Sequence, residues 1–431
     1  MSTPTRTTTR THSQPTAQLV RPVDALERLF YRYAEQNPVH FSLVAEFGVI
    51  LTEAQVRAAL SAVQKRHPLL SVHVEDHPGS RLGFYRADSV APIGLTAHES
   101  DQHWQTFAAA ELARPFDRST APLMRAVLVN GRAGSTILLT FDHTIADGIS
   151  SVRLTSDLVN ALNGKALAQL EVPPSVEDMI ARALPEAPIE NGSDASDPRM
   201  LQPTSIRPFD GTRPYVHAVT LDVAHTTGLV NRCRAEQTTV HAAILTAASR
   251  VHATLHNKDF VRVLSPVDVR PLLDIGGDCA GYFMCTITGM APNDGTVFWN
   301  QARAMTADLS IAKSGLGVAA VSATIQREVT IDADCAVTEQ LFTRALPFDL
   351  LVTNLGVQEL NVDGPIKPTA LWGPVVQSQT DDYVIGVTTY DGRLRMFSCG
   401  YTSSEQFLEG VRATLAQVTP QDRGSSSDAP R

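Results

Sequence analysis

Apolar and polar positions along this chain switch between a period of about 3.6 and a period of 2, so helices and strands alternate. From Asp24 to Gln36, Leu26, Leu29, Phe30 and Tyr33 share one helical face, and Asn37-Pro38 ends the pattern. Phe41 to Ile50 reads as a largely apolar strand with Glu46 inside it. Thr52 can cap the next helix, with Gln55 at the reciprocal position and Val56, Leu60 and Val63 on the buried face. Arg66-His67-Pro68-Leu69-Leu70 closes that helix, and Ser71 to Glu75 is a short strand. Asp101 to Ala113 is an amphipathic helix. Leu123 to Asn130 is a strand, and Gly131 to Gly134 turns it into the apolar, β-branched strand Ser135 to Thr140. Ser151 to Leu162 reads as a helix, with Leu154, Leu158 and Leu162 four apart and Gly164 as its stop.

Between Leu170 and Pro214 prolines and polar residues predominate, which predicts a crossover or linker over 171–214. It separates an N-terminal unit, 21–170, from a C-terminal unit, 215–418, each of domain size. The second unit opens with the strand Tyr215 to Leu221 and a helix, Val223 to Ala235, that Asp222 can cap. An Ala-rich helix follows, Val240 to Leu255, then the strand Phe260 to Val267. Gly276-Gly277 and Gly281 bracket a loop before the strand Tyr282 to Ile287. Phe298 to Ala312 is a helix, Phe348 to Gly356 is mixed, and Val384 to Tyr390 and Arg393 to Cys399 form a hairpin on Asp391-Gly392. Ser403-Ser404-Glu405 caps a last helix to Gln417. The pattern is α/β with two mixed sheets. Residues 1–20 and 419–431 are expected to be disordered tails.

Composition narrows the picture. The 431 residues are 43% hydrophobic with a net charge of -9 and no Lys/Arg run, which excludes a nucleic-acid partner. No apolar run reaches a membrane span, and the N-terminus lacks the apolar core of a secretory signal. The five cysteines are scattered without metal-ligand spacing, as expected of reduced thiols in a cytoplasmic protein.

The chemistry concentrates in Phe141-Asp142-His143-Thr144-Ile145-Ala146-Asp147-Gly148-Ile149-Ser150, between a buried strand and a helix. A His at a strand end is suited to removing a proton near neutral pH, provided one ring nitrogen faces the substrate. A satisfied core His beside a helix-starting Asp would look the same. No G-x-S-x-G accompanies it, so a serine nucleophile is not indicated. A buried Asp147 needs a cationic partner, for which Arg270 is the first choice and Arg125 the second. Gly148 would serve where the backbone turns or a substrate approaches closely. A metal would need a third ligand, and the following helix holds no His or Glu, so none is expected. Tyr282, Phe283, Phe298 and Trp299 read as core.

The run His143-Thr144-Ile145-Ala146-Asp147-Gly148 resembles the HxxxDG motif of the chloramphenicol acetyltransferase-like superfamily, which includes condensation domains, plant BAHD acyltransferases, alcohol acetyltransferases and phthiocerol dimycocerosyl transferases. Arg66-His67-Pro68-Leu69-Leu70 resembles that family's RHPxLR segment. Arg114-Pro115-Phe116-Asp117 with Ala121-Pro122-Leu123-Met124-Arg125 resembles its PFD…PLxR segment, and Asn354-Leu355-Gly356 resembles a later NxG element. The resemblance implies two chloramphenicol acetyltransferase-like lobes with an active-site tunnel between them. It implies His143 as general base, and Asp147, Gly148 and Arg270 as structural residues at the site, with Asp147 turned from His143 towards Arg270. Asn354, Thr353 and Ser265 are the candidates for donating to an oxyanion.

Asp142 stands where condensation domains usually carry a second His, and the plant DFGWG element is not evident. With no carrier-domain motif in the chain, the expectation is a stand-alone, monomeric acyltransferase of secondary or lipid metabolism. It would hold no permanent cofactor. It would move an acyl group from coenzyme A or an acyl carrier protein's phosphopantetheine to an acceptor hydroxyl or amine, with the ester favoured. The alternatives are a stand-alone condensation enzyme joining carrier-bound intermediates, and a non-catalytic recruitment module of the same fold.

Overall fold

Apolar alternation and β-branched residues build fourteen strands among the residues described by the computed structural model, which are 17–76, 81–86, 89–185, 197–275, 279–377 and 383–419. Gly276-Gly277, most of both expected tails and the middle of the expected linker lie outside them. The strands are β1 (Gln18–Pro22), β2 (Phe41–Phe47), β3 (His73–Glu75), β4 (Gly83–Arg86), β5 (Gly94–Glu99), β6 (Met124–Gly131), β7 (Gly134–Phe141), β8 (Tyr215–Leu221), β9 (Val261–Asp268), β10 (Phe283–Met290), β11 (Leu350–Val357), β12 (Pro368–Val376), β13 (Tyr383–Tyr390) and β14 (Arg393–Gly400).

They form two mixed sheets, β12-β2-β7-β6-β5 and β10-β9-β11-β13-β14-β8, and a third small one, β1-β4-β3. The α/β class and the two lobes are as expected; the small sheet is an addition. β1 begins at Gln18, three residues before the expected start of order, because Gln18 to Pro22 pair antiparallel with β4. β4 and β5 are not apparent in the pattern of the chain: they are short, and β5 is mostly exposed, so neither shows a buried alternation.

Helix starts follow local chemistry closely. Asp24 and Glu27 form a capping box on the helix Ala25–Tyr33, as Thr52 and Gln55 do on Glu53–Arg66. Asp222 and Thr239 cap Val223–Ala235 and Val240–His256. Ser404 sits at the start of Glu405–Val418, but its side chain makes no capping bond. Asp391 and Gly392 both take positive φ, +51° and +69°, the geometry that closes the β13–β14 hairpin.

The two halves of the sequence are not two independent lobes. β12, from the second half, is an edge strand of the N-terminal sheet and pairs with β2. Its prolines, Pro368 and Pro374, hide it in the sequence, yet an edge strand tolerates them. Glu46, the charge inside β2, accepts a hydrogen bond from the Trp372 indole of β12. An apolar cluster including Val44, Leu138, Trp104, Trp372, Val384 and Phe397 joins the two large sheets. The helices Gly315–Glu328 and Cys335–Gln340, also unpredicted, pack against Ala25–Tyr33 in the N-terminal core. Inside the expected linker, Val176–Ala183 is a helix capped by Ser175. No helix among the described residues is long and apolar enough to cross a membrane.

This interlock has a direct consequence. Residues 1–214 expressed alone would leave the edge of β2 unpaired and the N-terminal core open, and should give an aggregated or molten species. Co-expression with residues 215–431 should restore a folded particle, read by gel filtration and far-ultraviolet circular dichroism.

Candidate active site

His143 lies in the loop between β7 and the helix Gly148–Leu162. Asp142 shapes this loop: its carboxylate accepts from the Thr144 amide at 2.9 Å and from the Thr144 hydroxyl, and its own amide donates to the Leu123 carbonyl at 3.0 Å. Asp142 is therefore a buried turn-former.

Asp147 caps the following helix, accepting from the Ser150 amide at 2.8 Å. Its two oxygens also take a bidentate pair of bonds from Arg270, at 2.8 and 3.0 Å, and one from the Tyr282 amide at 2.8 Å. Arg270 is held in turn by Asp268 at 3.1 Å and the Ala280 carbonyl at 3.1 Å. Both members of the pair are buried. Burial alone would push the Asp147 carboxyl up; the Arg270 charge and hydrogen bonds, with the Ser150 and Tyr282 amides, outweigh it and hold the group below the usual carboxylate range. Among the described hydrogen bonds none joins Asp147 to His143. Arg125, the second choice as partner, is elsewhere: it pairs with Glu111 and lies 4.1 Å over the Phe116 ring.

His143 sits in an aromatic box that the pattern of the chain did not reveal. Phe30 stacks on it with centroids 4.6 Å apart and planes at 15°. Phe41 and Phe283 flank it at 5.0 and 5.2 Å. Their only signal in the sequence was apolar character, which a core residue shares. Nδ1 is buried within the loop, which leaves Nε2 for the cavity that His143 lines. Burial lowers the imidazole below its ordinary 6.5; the Asp147 charge and the backbone at His143 and Ala146 act against it without reversing it. The ring is a neutral base near pH 7.

The cavity, about 200 Å³, opens between the two halves. Besides His143, Tyr33 and Cys285, its polar lining is Asp147, Asp268, Arg270, Thr353, Asn354, Gln377 and Thr204, the last from the segment expected to be a plain linker. On β11 the register shifts after Asn354, and Gly356 takes φ +71°. The bulge lets Thr353, Asn354 and Leu355 all reach the cavity. Asn354 Oδ1 accepts from the Gly356 amide at 2.8 Å, which leaves its NH₂ free to donate. Ser265 must be removed from the oxyanion candidates. On β9, Leu264, Pro266 and Asp268 line the cavity, so the period of 2 turns Ser265 to the opposite face, where it meets His241 at 3.3 Å. Gly148 serves close approach and not a turn: a Cβ there would lie 2.6 Å from the end of the Leu355 side chain and 3.2 Å from Pro374, both in the second half, so these would have to shift. Among the described residues, no group of His, Cys, Asp or Glu could hold a metal ion.

His143 beside a cavity between the halves, with the Asp147–Arg270 pair behind it, is the arrangement that the resemblance in the sequence implied. Residues 28–185 match the family model described as the condensation domain. It is 34% identical over 136 residues to phosphinothricin tripeptide synthetase PhsC of Streptomyces viridochromogenes, a match that takes up 30% of this chain and 12% of the relative. It is 28% identical over 116 residues to tyrocidine synthase 3 of Brevibacillus parabrevis, over 27% of this chain and 2% of that relative. The chain thus corresponds to a small part of each. Polyketide synthase associated protein 5 from Mycobacterium tuberculosis superposes with a TM-score of 0.67 at 16% identity, covering 94% of this chain and 99% of that one. The first condensation domain of the calcium-dependent antibiotic synthetase superposes at 0.64 and 14% identity, over 94% and 97%. These structural likenesses establish the fold.

Removing Arg270 would strand a buried carboxylate. Arg270→Ala should destabilise the protein by about 3–5 kcal/mol, measured by urea unfolding. Arg270→Lys should recover only part of that, since an ammonium cannot make the bidentate pair.

Proposed function

We propose that this protein is an acyltransferase that moves an acyl group from a thioester to an acceptor hydroxyl, with His143 as general base. The observation that carries the reading is the neutral, desolvated His143 imidazole facing a cavity between the halves while Asp147 is fully engaged elsewhere. An alcohol attacks a thioester poorly until its proton is removed, and the thioester needs no enzyme nucleophile. His143 Nε2 takes the proton as the hydroxyl oxygen attacks the thioester carbonyl. The tetrahedral oxyanion accepts a hydrogen bond from the Asn354 NH₂, with the Thr353 hydroxyl as second candidate. Collapse breaks the C–S bond, and the imidazolium returns the proton to the thiolate. Asp147, Arg270 and Gly148 hold the loop and bring the halves together.

The donor is an acyl group on phosphopantetheine, carried by coenzyme A or by an acyl carrier protein. Asp142, in place of the second His that the resemblance would lead one to expect, favours the ester-forming reading. The second reading is condensation of carrier-bound intermediates into an amide or ester. The sequence match to phosphinothricin tripeptide synthetase and the antibiotic-synthetase condensation fold favour it.

Acyl-coenzyme A and acyl-carrier thioesters assayed side by side for thiol release, with and without alcohols and amines, separate the two. His143→Ala should lower the rate about 10²–10⁴-fold; an unchanged rate sinks the reading. Because the neutral imidazole is the active form, kcat/KM should fall as pH drops through an apparent pKa below 6.5 and level off above it. Asn354→Ala should lower kcat about 10²-fold with little change in KM.

A further inference from the structure

A second cavity, about 230 Å³, adjoins the first. It lies among three helical segments: Ala25–Tyr33, Gly315–Glu328, and the single π-helical turn Leu341–Ala345. The two cavities share Phe30, Cys285 and Phe342, so these side chains form the partition between them. Phe30 is the ring stacked on His143, which places this partition directly beside His143. Phe342 packs on Tyr33 at 4.5 Å and faces Phe30 at 6.4 Å.

The two linings differ in kind. The first cavity mixes carboxylates, a guanidinium, amides and hydroxyls with apolar groups. The second holds no charged side chain: its walls include Leu26, Leu29, Val321, Ile325, Leu341 and Leu346, and its polar groups are the Thr324 hydroxyl and the Cys285 thiol. Its outer rim, at Ala320 and Ala345, is exposed, so the trough runs from the base to the surface. A polar acceptor or a phosphopantetheine arm has no partner there. An aliphatic chain does, and each methylene buried strengthens binding by about fourfold.

Resting on the acyltransferase reading, we propose that this trough holds the aliphatic tail of the acyl donor and sets acyl-chain length, with Phe30 and Phe342 as its gate. The thioester carbonyl then stays beside His143 while the chain threads between the two rings. The π-turn, one residue wider than an α-turn, is the local device that opens the wall at Phe342.

The test has a binding arm and a turnover arm. Cis-parinaric acid, a fluorescent fatty acid, should bind the wild-type protein and the His143→Ala variant saturably. It should bind Ala320→Trp and Thr324→Trp at least about tenfold more weakly. In turnover, the octanoyl-to-acetyl ratio of kcat/KM for N-acetylcysteamine thioesters should fall at least tenfold in both Trp variants. In Phe342→Ala it should shift towards longer chains. Thermal unfolding checks that each variant folds, and Ala345→Trp, on the exposed rim, replaces any that does not. No parinaric binding by the wild type, or Trp variants with wild-type binding and chain preference, overturns the proposal. Failure of catalysis reads differently: no thioester is turned over by the wild type, yet parinaric acid still binds in a Trp-sensitive way.

Discussion

A carboxylate at position 147, excluded from water, must be compensated by the protein, and the architecture follows from how that is done. A lone buried charge would cost several kcal/mol. Here one donor, the Ser150 amide, comes from the first turn of the helix that Asp147 caps, whereas Arg270 and the Tyr282 amide come from the second half of the chain. The loop that presents His143 is therefore complete only when the halves are docked. The ion pair does not act on the substrate; it makes the position of the base a property of the whole fold.

Around that fixed loop the protein separates polar from apolar work. Three phenylalanines desolvate His143, keeping it neutral and ready to accept a proton. Polar side chains gather on the β9 and β11 side of the first cavity, where carbonyl and acceptor chemistry would occur. The helical side, beyond Phe30 and Phe342, is almost free of polar atoms. One ring, Phe30, belongs to both environments, so dryness at the base and the apolar trough arise from the same packing.

The remaining motif segments have structural roles that explain their residue types. Arg66 and His67 both bond Asp157, at 2.7 and 2.9 Å, which ties the second helix to the helix that starts at the motif. Arg125 braces Phe116 and Glu111 beneath the strand leading to His143. β12 and the helices 315–340 cross back into the N-terminal lobe, so the loop is clamped from both sides. Gly148 lets Leu355 and Pro374 of the second half pack closely on the start of the motif helix.

Features that are local, or carried by a motif, were legible in the order of residues alone. Capping residues set helix starts at Thr52 and Asp222, and Asp391-Gly392 set a hairpin, because each acts through its neighbours a few residues away. The HxxxDG run marked His143 as the residue to examine, and the need to neutralise Asp147 pointed to an Arg at a strand end. Whatever depends on contacts between distant segments came from the folded arrangement. Phe30, Phe41 and Phe283 became a box around His143 through packing of a helix and two strands. Ser265 was separated from Thr353 and Asn354 by which face of β9 meets the cavity, a matter of sheet orientation that composition does not encode. β12 joined the other lobe's sheet although its prolines argued against a strand. Of the helical segments lining the apolar trough, Ala25–Tyr33 was legible from its one-sided pattern, whereas Gly315–Glu328 lacks such a pattern, since part of its surface faces a cavity and not a core.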